Sequence, residues 1–273
     1  MTSQRGRREA PSLHLERMEP RAAQRPRAFV RVAGPDAEDY LERMLSNEIA
    51  TLPVGDSCEA LLLTPKARVI APMRVVRRGP EDFLLVTEPE LGVTLRDELV
   101  RMRFAAKAEI ELEEHRSYLL VGAENGGIPN QDYGIPAAEV LDQEPPTDLP
   151  LLGDEELEAL RIQAGTPRFG REIDDRVLPA EAGLVERAVS LGKGCFPGQE
   201  PIARLHYRGH ANRRLQVLEV EQAEPGAELL WEGKVVGRVT SAVSGLALGY
   251  VRTEVPPDAV LELPGGKPAT LRA

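Results

Sequence analysis

The chain has 273 residues and a formal net charge of −10, and 42% of its residues are hydrophobic, so it can bury a core in one large domain or in two. The negative charge argues against general nucleic-acid binding through a broad basic surface, and no stretch approaches the roughly 20 apolar residues of a membrane span. The two cysteines, Cys58 and Cys195, cannot build a disulfide framework, which favours a reducing compartment.

The first 26 residues differ in composition from the rest. They are rich in arginine and contain three prolines but no apolar stretch, which excludes a secretory signal. We interpret residues 1–26 as a flexible basic leader. The alternative is an organelle transit peptide, against which the three glutamates of this segment count.

The pattern between residues 27 and 210 predicts an α+β domain, because short apolar runs bounded by turns predict strands and apolar residues at helical spacing predict helices. Strands are predicted at 29–32, 58–63, 69–76, 83–86, 109–112 and 117–121, and helices at 37–45, 90–101 and 154–165. Asp154 is the expected N-cap of the last helix. Residues 125–150 are rich in Pro, Gly and Asn and are expected to form an irregular connection. We place a junction between two subdomains near residue 116.

The pattern changes after residue 210. Short strands are predicted at 215–220, 229–231, 235–239, 247–251 and 260–263, with glycine-containing turns between several of them. Many short strands at close spacing are typical of a small all-β barrel. Residues 211–273 are therefore expected to form a C-terminal β-barrel domain.

One cysteine lies in an unusual setting, Lys193-Gly194-Cys195-Phe196-Pro197-Gly198-Gln199-Glu200. A helix that starts near residues 198–200 and runs to 207 or 208 would place the thiol just before a helix N-terminus, with a lysine two residues before it. Both features favour a thiolate. The alternative is a small residue packed in a glycine-bearing turn, and the spacing alone does not decide between the two.

The segment after the cysteine concentrates positive charge in an acidic protein. As a helix it places Glu200, Arg204 and Arg208 on one face; as an extended strand it places Arg204, His206, Arg208 and His210 on one face. Either geometry suits an anionic ligand, such as a glutamyl carboxylate or a phosphate. The alternative is a solvated basic surface.

Other sites receive no support from the sequence. His206 and His210 are four residues apart and near Cys195, but Gly209 breaks the helix and zinc needs three or four ligands, so no metal is predicted. The chain has no G-x-x-x-x-G-K-[ST] loop, no G-x-G-x-x-G and no G-x-S-x-G, which leaves nucleotide-loop and hydrolase functions without support.

Residues 193–200 resemble the K-G-C-[FY]-x-G-Q-E signature of the YgfZ-type folate-binding proteins. Other segments are similar to motifs of the superfamily that contains the glycine-cleavage aminomethyltransferase. These segments are 32–37, 45–48, 160–165, 179–184 and 236–241. The resemblance covers about residues 29 to 255; the cysteine motif is highly specific, and the other segments are individually weak but fall in the right order.

The resemblance implies an aminomethyltransferase-like folate-binding fold, with antiparallel sheets and helices around a central cavity and a small C-terminal β-barrel. It implies tetrahydrofolate, or a polyglutamyl or one-carbon derivative, as cofactor. The implied role is support for the assembly or repair of iron–sulfur proteins, with an indirect effect on tRNA modification. The implied partners are iron–sulfur proteins or their assembly factors, without direct nucleic-acid or membrane contact. The implied compartment is the bacterial cytoplasm, or the mitochondrial matrix in a eukaryote.

The resemblance also implies site residues. Cys195 and Lys193 are the expected functional pair, and the expected folate-binding residues are Gly194, Gly198, Gln199, Glu200, Arg204 and Arg208.

Two departures separate the chain from the aminomethyltransferases. Gln163 replaces the usual glutamate, and Ala71 and Pro72 stand where an acidic pair is expected. Neither Ala nor Pro can act as an acid or base, which favours the YgfZ-type role over glycine cleavage. The second hypothesis is a tetrahydrofolate-dependent one-carbon transferase, such as an aminomethyltransferase or a demethylase. The third is a scaffold that has lost its ligand, which a central cavity filled by side chains would support.

Overall fold

The computed structural model describes residues 19–123 and 126–272. The described helices are α1 Ala37–Met44, α2 Gly92–Met102, α3 Asp154–Gln163, α4 Val185–Ala188 and α5 Gln199–Arg208. The described strands are β1 Arg21–Gln24, β2 Ala28–Ala33, β3 Ser57–Leu63, β4 Val69–Gly79, β5 Asp82–Thr87, β6 Glu109–Glu113, β7 Ser117–Val121, β8 Ile128–Asn130, β9 Ala137–Leu141, β10 Arg213–Val220, β11 Glu228–Trp231, β12 Lys234–Val243, β13 Leu246–Arg252, β14 Val260–Leu263 and β15 Lys267–Leu271. None of the described helices is long and apolar enough to cross a membrane.

The first layer is a five-stranded antiparallel sheet in the order β3-β4-β5-β2-β6. Helices α1 and α2 contribute Tyr40, Leu41, Leu95 and Leu99 to the core cluster of this sheet, and the Tyr40 hydroxyl donates to the Leu99 carbonyl at 2.6 Å. The alternation of apolar residues along β2 and β4 provides the inward face that these helices cover. The predicted strands and helices of this part are confirmed.

The second layer is a four-stranded antiparallel sheet in the order β1-β7-β9-β8, and it corrects two predictions. Residues 21–24 lie inside the predicted flexible leader, yet they form β1 and pair with β7, because the small side chains of Ala22 and Ala23 are buried there. The segment predicted to be irregular contains β8 and β9, and β9 is the inner strand between β7 and β8. Residues 1–18 of the leader lie outside the described residues.

The C-terminal part is a closed barrel in the order β10-β13-β12-β11-β14-β15. The predicted barrel is confirmed, although the sequence pattern misses β15, which closes the barrel by pairing with β10. The α+β class is likewise confirmed. The domain limits at residues 116 and 210 stay predictions.

A buried arginine joins α3 to the barrel. Arg161 donates to the Glu172 carboxylate at 2.9 Å and to the Ser241 hydroxyl of β12 at 2.9 Å, and Ser241 donates to Glu172 at 2.6 Å. The helix itself begins one residue differently from the prediction: Gly153 is the N-cap, and its N–H donates to the Glu156 carboxylate at 3.1 Å. Asp154 therefore lies in the first turn, where a carboxylate suits the helix dipole.

Candidate functional site

The cysteine motif forms a loop between α4 and α5, and we call residues 193–198 the signature loop. The segment before it is tied to the first layer: the Ser190 N–H donates to the Ser46 carbonyl at 2.9 Å, and the Ser46 hydroxyl donates to the Ala188 carbonyl at 2.6 Å. Helix α5 begins directly after the loop, which confirms the helical alternative over the extended one.

Lys193 fixes the start of the signature loop to the end of α1. Its ammonium group donates to the carbonyls of Glu42, Leu45 and Asn47 at 2.5, 2.9 and 2.6 Å, and only 1% of its side chain is exposed. The Glu42 and Leu45 carbonyls lie at the negative end of the dipole of α1, and the Asn47 carbonyl follows in the next turn of the chain. Burial lowers the pKa of Lys193, and the Glu42 carboxylate at 3.3 Å opposes that shift. The sequence analysis places this cation beside Cys195, whereas the structure directs all three of its N–H groups to backbone carbonyls.

Two further residues hold the rest of the signature loop. Phe196 is buried in an apolar cluster with Leu61 and Leu184, and its ring centroid lies 5.7 Å from the Lys193 ammonium. Gly198 has φ +82°, and a Cβ there would lie 2.7 Å from the Thr64 carbonyl oxygen. The position therefore requires glycine both for its backbone conformation and for its contact with the β3–β4 turn.

The Cys195 thiol is the part of the signature loop that is not packed against the rest of the protein. Cys195 is an exposed free cysteine, and the neighbouring Gly194 has nothing within 4 Å of the position a Cβ would take. The thiol lies four residues before the first residue of α5. Cys58, by contrast, is partly buried in β3, and burial raises the pKa of its thiol to about 11 although Lys193 acts to lower it.

Helix α5 turns its charged residues to solvent. Glu200, Arg204 and Arg208 are exposed, and within the described residues none of them has a salt-bridge partner at or below 4.0 Å. Ile202 is buried and anchors the opposite face. The structure thus presents the predicted charged face, while its ligand stays a prediction.

A second candidate site, which the sequence analysis did not identify, is a small central cavity of about 70 Å³. Its apolar lining includes Leu61, Met73 and Phe169, and its charged lining includes Arg27, Arg74, Arg187, Glu59 and Asp132. No residue of the signature loop or of α5 is among its described lining residues. Leu61 and Leu184 line the cavity and also pack in the cluster of Phe196, so the loop and the cavity share apolar support.

The charged residues of the cavity are bound to one another. Arg187 donates to Glu59 at 2.6 Å and to Asp132 at 2.8 Å, and Arg74 donates to Glu59 at 3.2 Å. Arg27 donates to the fully buried Glu139 at 2.8 Å. Burial alone would raise the pKa of Asp132, but the facing arginines hold it below its usual value.

One atom of this network lacks a partner. The Glu139 Oε2 atom has no hydrogen bond in the described structure, and the nearest salt-bridge nitrogen, from Arg74, is 4.0 Å away. The sequence signal for the network is a lone charge inside an apolar strand for Glu59 in β3 and Glu139 in β9, whereas Arg74 is one of three arginines in β4. Pro72 also lines the cavity, whereas Gln163 is not among its described lining residues.

No protein-family model matches the chain. The chain is 30% identical over 230 residues to an uncharacterized protein of Haemophilus influenzae, covering 79% of this chain and 81% of that protein. It is 26% identical over 222 residues to the tRNA-modifying protein YgfZ of Photorhabdus laumondii, covering 68% of this chain and 66% of that protein. It is 23% identical over 235 residues to a mitochondrial iron–sulfur cluster assembly factor homolog of Neurospora crassa, covering 73% of this chain and 54% of that protein.

The fold matches that of a solved enzyme. The crystal structure of the glycine cleavage system aminomethyltransferase T from Bartonella henselae has a TM-score of 0.79 and 21% identity, covering 94% of this chain and 86% of that chain. The likeness to that enzyme shows the shared fold alone, and the chain spans only about half of the Neurospora relative. Together, the Haemophilus relative, the YgfZ relative and the shared fold show that the chain belongs to the YgfZ-type branch of the aminomethyltransferase-like superfamily.

Proposed function

We propose that this protein is a tetrahydrofolate-binding factor of the YgfZ type that supports the assembly or repair of iron–sulfur proteins, and through them tRNA modification. The observation that carries the proposal is that separate residues of the signature loop anchor it and expose its thiol. Lys193, Phe196 and Gly198 hold the loop, and the Cys195 thiol is left exposed. A fixed, exposed thiol is a soft nucleophile or metal ligand that another protein can reach.

The proposal assigns different roles to the two predicted functional residues. Cys195 acts on the partner, which is an iron–sulfur protein or one of its assembly factors. Lys193 positions the loop, because its three donors are bound to carbonyls at the end of α1. Names of relatives support this partner class: one is an iron–sulfur cluster assembly factor homolog and another a tRNA-modifying protein. Two free cysteines suit the reducing bacterial cytoplasm that we propose as its compartment.

The central cavity is the proposed site for the folate ring. A pterin offers an N–H and NH₂ edge that matches a carboxylate, which Asp132 and Glu59 supply, and a flat apolar body that suits Leu61, Met73 and Phe169. Bound folate would supply one-carbon or redox chemistry of its own. The residues therefore fit the chemistry of the ring, but a cavity of about 70 Å³ is too small for it until the paired arginines move.

Arg204 and Arg208 remain our proposed contacts for the anionic glutamyl tail, on the strength of their charge and exposure. Replacing both with Ala is expected to weaken polyglutamyl folate more than monoglutamyl folate. Each lost charge-assisted hydrogen bond is expected to cost roughly 1.5–3 kcal/mol. Equal weakening of the two ligands would instead assign a structural role to the arginines. Gly194, Gly198, Gln199 and Glu200 stay predicted folate contacts on the strength of the signature motif alone.

The experiment that tests the function is rescue of iron–sulfur enzyme activity in a bacterial strain that lacks its own YgfZ-type factor. The wild-type chain is expected to restore activity, and the Cys195→Ser chain is expected to fold, to bind folate and to fail in rescue. Cys58→Ser is the matched control and is expected to rescue. If Cys195→Ser rescues as well as the wild type, the thiol is not the working group, and Lys193 and Glu200 are the next residues to test.

One observation favours a second candidate function, a scaffold without a folate ligand. The central cavity is filled by arginine side chains that are already paired with carboxylates. Titration of the purified protein with tetrahydrofolate separates the two candidates, since saturable binding is expected only for the first. Glycine cleavage is the least supported role, because Pro72, which lines the cavity, offers no acid or base.

A further inference from the structure

A groove runs along the junction between α5 and the barrel, away from the central cavity. Its barrel half has a volume of about 1080 Å³ and its helix half about 330 Å³, and the two halves share Glu181, His210 and Arg214. The two halves adjoin at these three residues, and we call them together the junction groove.

The barrel half of the junction groove is basic. Four arginines and two glutamates line it, which gives a formal charge of +2 in a chain whose net charge is −10. Arg213 is held by Glu181 at 3.1 and 3.2 Å and lies 4.6 Å over the Tyr250 ring, so its charge is already matched. Arg214 is exposed and has no salt-bridge partner among the described residues.

Arg272 is also exposed and has no salt-bridge partner among the described residues, and the remaining accessible cation is Arg252. Its partner is Glu254 at 3.3 Å, and both side chains are more than 60% exposed, so the pair is weak in water and open to exchange. Register pairs Arg213 with Arg252 and Arg214 with Val251 across β10 and β13. Arg214 and Arg252 are therefore at the same end of the barrel, and both line the barrel half although their side chains start from opposite faces of the sheet.

The helix half of the junction groove is mixed: the partly exposed Leu205 and Leu215 line it beside Glu186, His206 and His210. An occupant of the whole groove can place an apolar side chain against the two leucines and negative charge against the arginines. No Phe, Tyr or Trp is among the described lining residues of either half. Nucleic acid is disfavoured for that reason, since single strands are held mainly by stacking on aromatic rings.

The position of the junction groove relates it to the thiol. Helix α5 has 10 residues, which gives a length of about 15 Å. The Cys195 loop precedes the first turn of this helix, and His206, Gly209 and His210 at its other end line the groove. A protein seated in the groove lies within about one helix length of the thiol.

We propose that the junction groove docks an acidic segment, carrying an apolar anchor, of the protein on which the Cys195 thiol acts. The identity of that protein as an iron–sulfur client rests on the proposed function; the docking of an acidic segment does not. The arginines of the barrel half attract such a segment in an otherwise acidic protein, and Leu205 and Leu215 of the helix half receive its apolar anchor.

The test is binding of a fluorescently labelled peptide of about a dozen residues, rich in Glu and Asp with two Leu near one end. Fluorescence anisotropy is expected to show saturable binding that weakens with salt. The double variant Arg214→Glu and Arg252→Glu is expected to weaken binding at least about tenfold. The matched control is Lys234→Glu with Lys267→Glu, which makes the same charge change at exposed barrel positions outside the groove and is expected to stay within about twofold.

Three outcomes overturn the proposal: no saturable binding of the peptide to the wild type, equal weakening by the two double variants, or tighter binding of a labelled single-stranded oligonucleotide at the same arginines. Failure here is distinguishable from failure of the proposed function. If the Arg214→Glu, Arg252→Glu protein rescues the deficient strain fully, the docking proposal fails and the thiol assignment stands. If the wild-type chain does not rescue, the proposed function fails whatever the peptide does.

Discussion

The signature loop and the central cavity both bury cations, but they satisfy them in different ways. Lys193 donates to three backbone carbonyls, and the loop that it holds leaves a thiol free. The cavity instead uses carboxylates, which accept hydrogen bonds from Arg27, Arg74 and Arg187. Among the described buried carboxylate oxygens of these partners, only Glu139 Oε2 lacks a hydrogen bond. The signature loop therefore leaves one reactive group, the Cys195 thiol, exposed, whereas the charged groups of the central cavity are bonded mainly to one another.

The energetic consequences differ as well. Carbonyls at a helix end are neutral groups that must be bonded somewhere, so a lysine that caps them stabilises the fold directly. A buried ion pair loses much of its Coulomb energy to desolvation, but removing one partner leaves an uncompensated charge. Substitutions that test this contrast should therefore lower the free energy of unfolding most in the central cavity and least at the exposed thiol.

The largest effect is expected for Arg27→Met in the central cavity. The substitution leaves the fully buried Glu139 carboxylate without its nearest cation and removes one of two cations at Glu88, which keeps Arg25 at 2.7 Å. We expect a loss of about 3–5 kcal/mol in urea unfolding. Arg31→Met is the matched control, because Arg31 pairs with Asp82 at a site where both side chains are about one-third exposed. The control is expected to lose less than about 1 kcal/mol. Equal losses would show that the cavity network behaves like a surface pair.

The next effect is expected for Lys193→Met. The change removes the donors of three carbonyls and the ion-pair partner of Glu42 at 3.3 Å, while Glu42 keeps its bonds from the Ile49 and Ala50 N–H groups. We expect a loss of about 3 kcal/mol, measured by urea unfolding. Lys66→Met, at an exposed position, is the control and is expected to stay within about 0.5 kcal/mol. A Lys193→Met protein as stable as the wild type would contradict the anchoring role.

The contrast between the two regions also explains what the sequence could predict. The signature loop is continuous, and its glycines, its cation and the start of α5 follow one another, so local rules identify it. The central cavity joins side chains from several separated segments, and Glu59 and Glu139 look like isolated charges until the sheets bring them to the arginines. The direction of the Lys193 side chain was not predictable either, because its partners are about 150 residues away in sequence.

The misses in secondary structure have the same origin. β1 has four residues and β9 has five, and both are stabilised by neighbours in the four-stranded sheet rather than by a long apolar pattern of their own. Tertiary pairing outweighs weak local propensity in such short strands.

A third prediction compares two glycines inside the signature loop. Gly198→Ala forces a side chain into a left-handed backbone conformation 2.7 Å from the Thr64 carbonyl oxygen, and we expect a loss of about 2 kcal/mol. Gly194→Ala meets nothing within 4 Å, and the expected change is below about 0.5 kcal/mol. Thermal unfolding of the two variants side by side measures the difference. Similar losses for both would mean that the loop is flexible rather than fixed at its α5 end.

The smallest effect on the free energy of unfolding is expected for Cys195→Ser, within about 0.5 kcal/mol, because the exposed thiol buries little surface. Cys58→Ser is expected to lose about 1 kcal/mol, because its hydroxyl would enter a partly apolar site. The reactivity of the two thiols should differ in the opposite sense. With a pKa of about 11, only about one part in a thousand of Cys58 is thiolate at pH 8, so its alkylation is slow and should rise about tenfold per pH unit up to that value.

Iodoacetamide labelling followed by peptide mass analysis measures both rates in the same sample. Cys195 is expected to be labelled at least about tenfold faster than Cys58 at pH 8, because it is exposed and Cys58 is partly buried. Lys193→Met provides the link to the anchor: if the loop is held by that lysine, its loss should leave Cys195 reactive while Cys58 becomes easier to reach beside the vacated α1 end. Faster labelling of Cys58 than of Cys195 in the wild type would reverse the assignment of the working thiol. It would also contradict the contrast between a signature loop that exposes its thiol and a central cavity whose charged groups are bonded to one another.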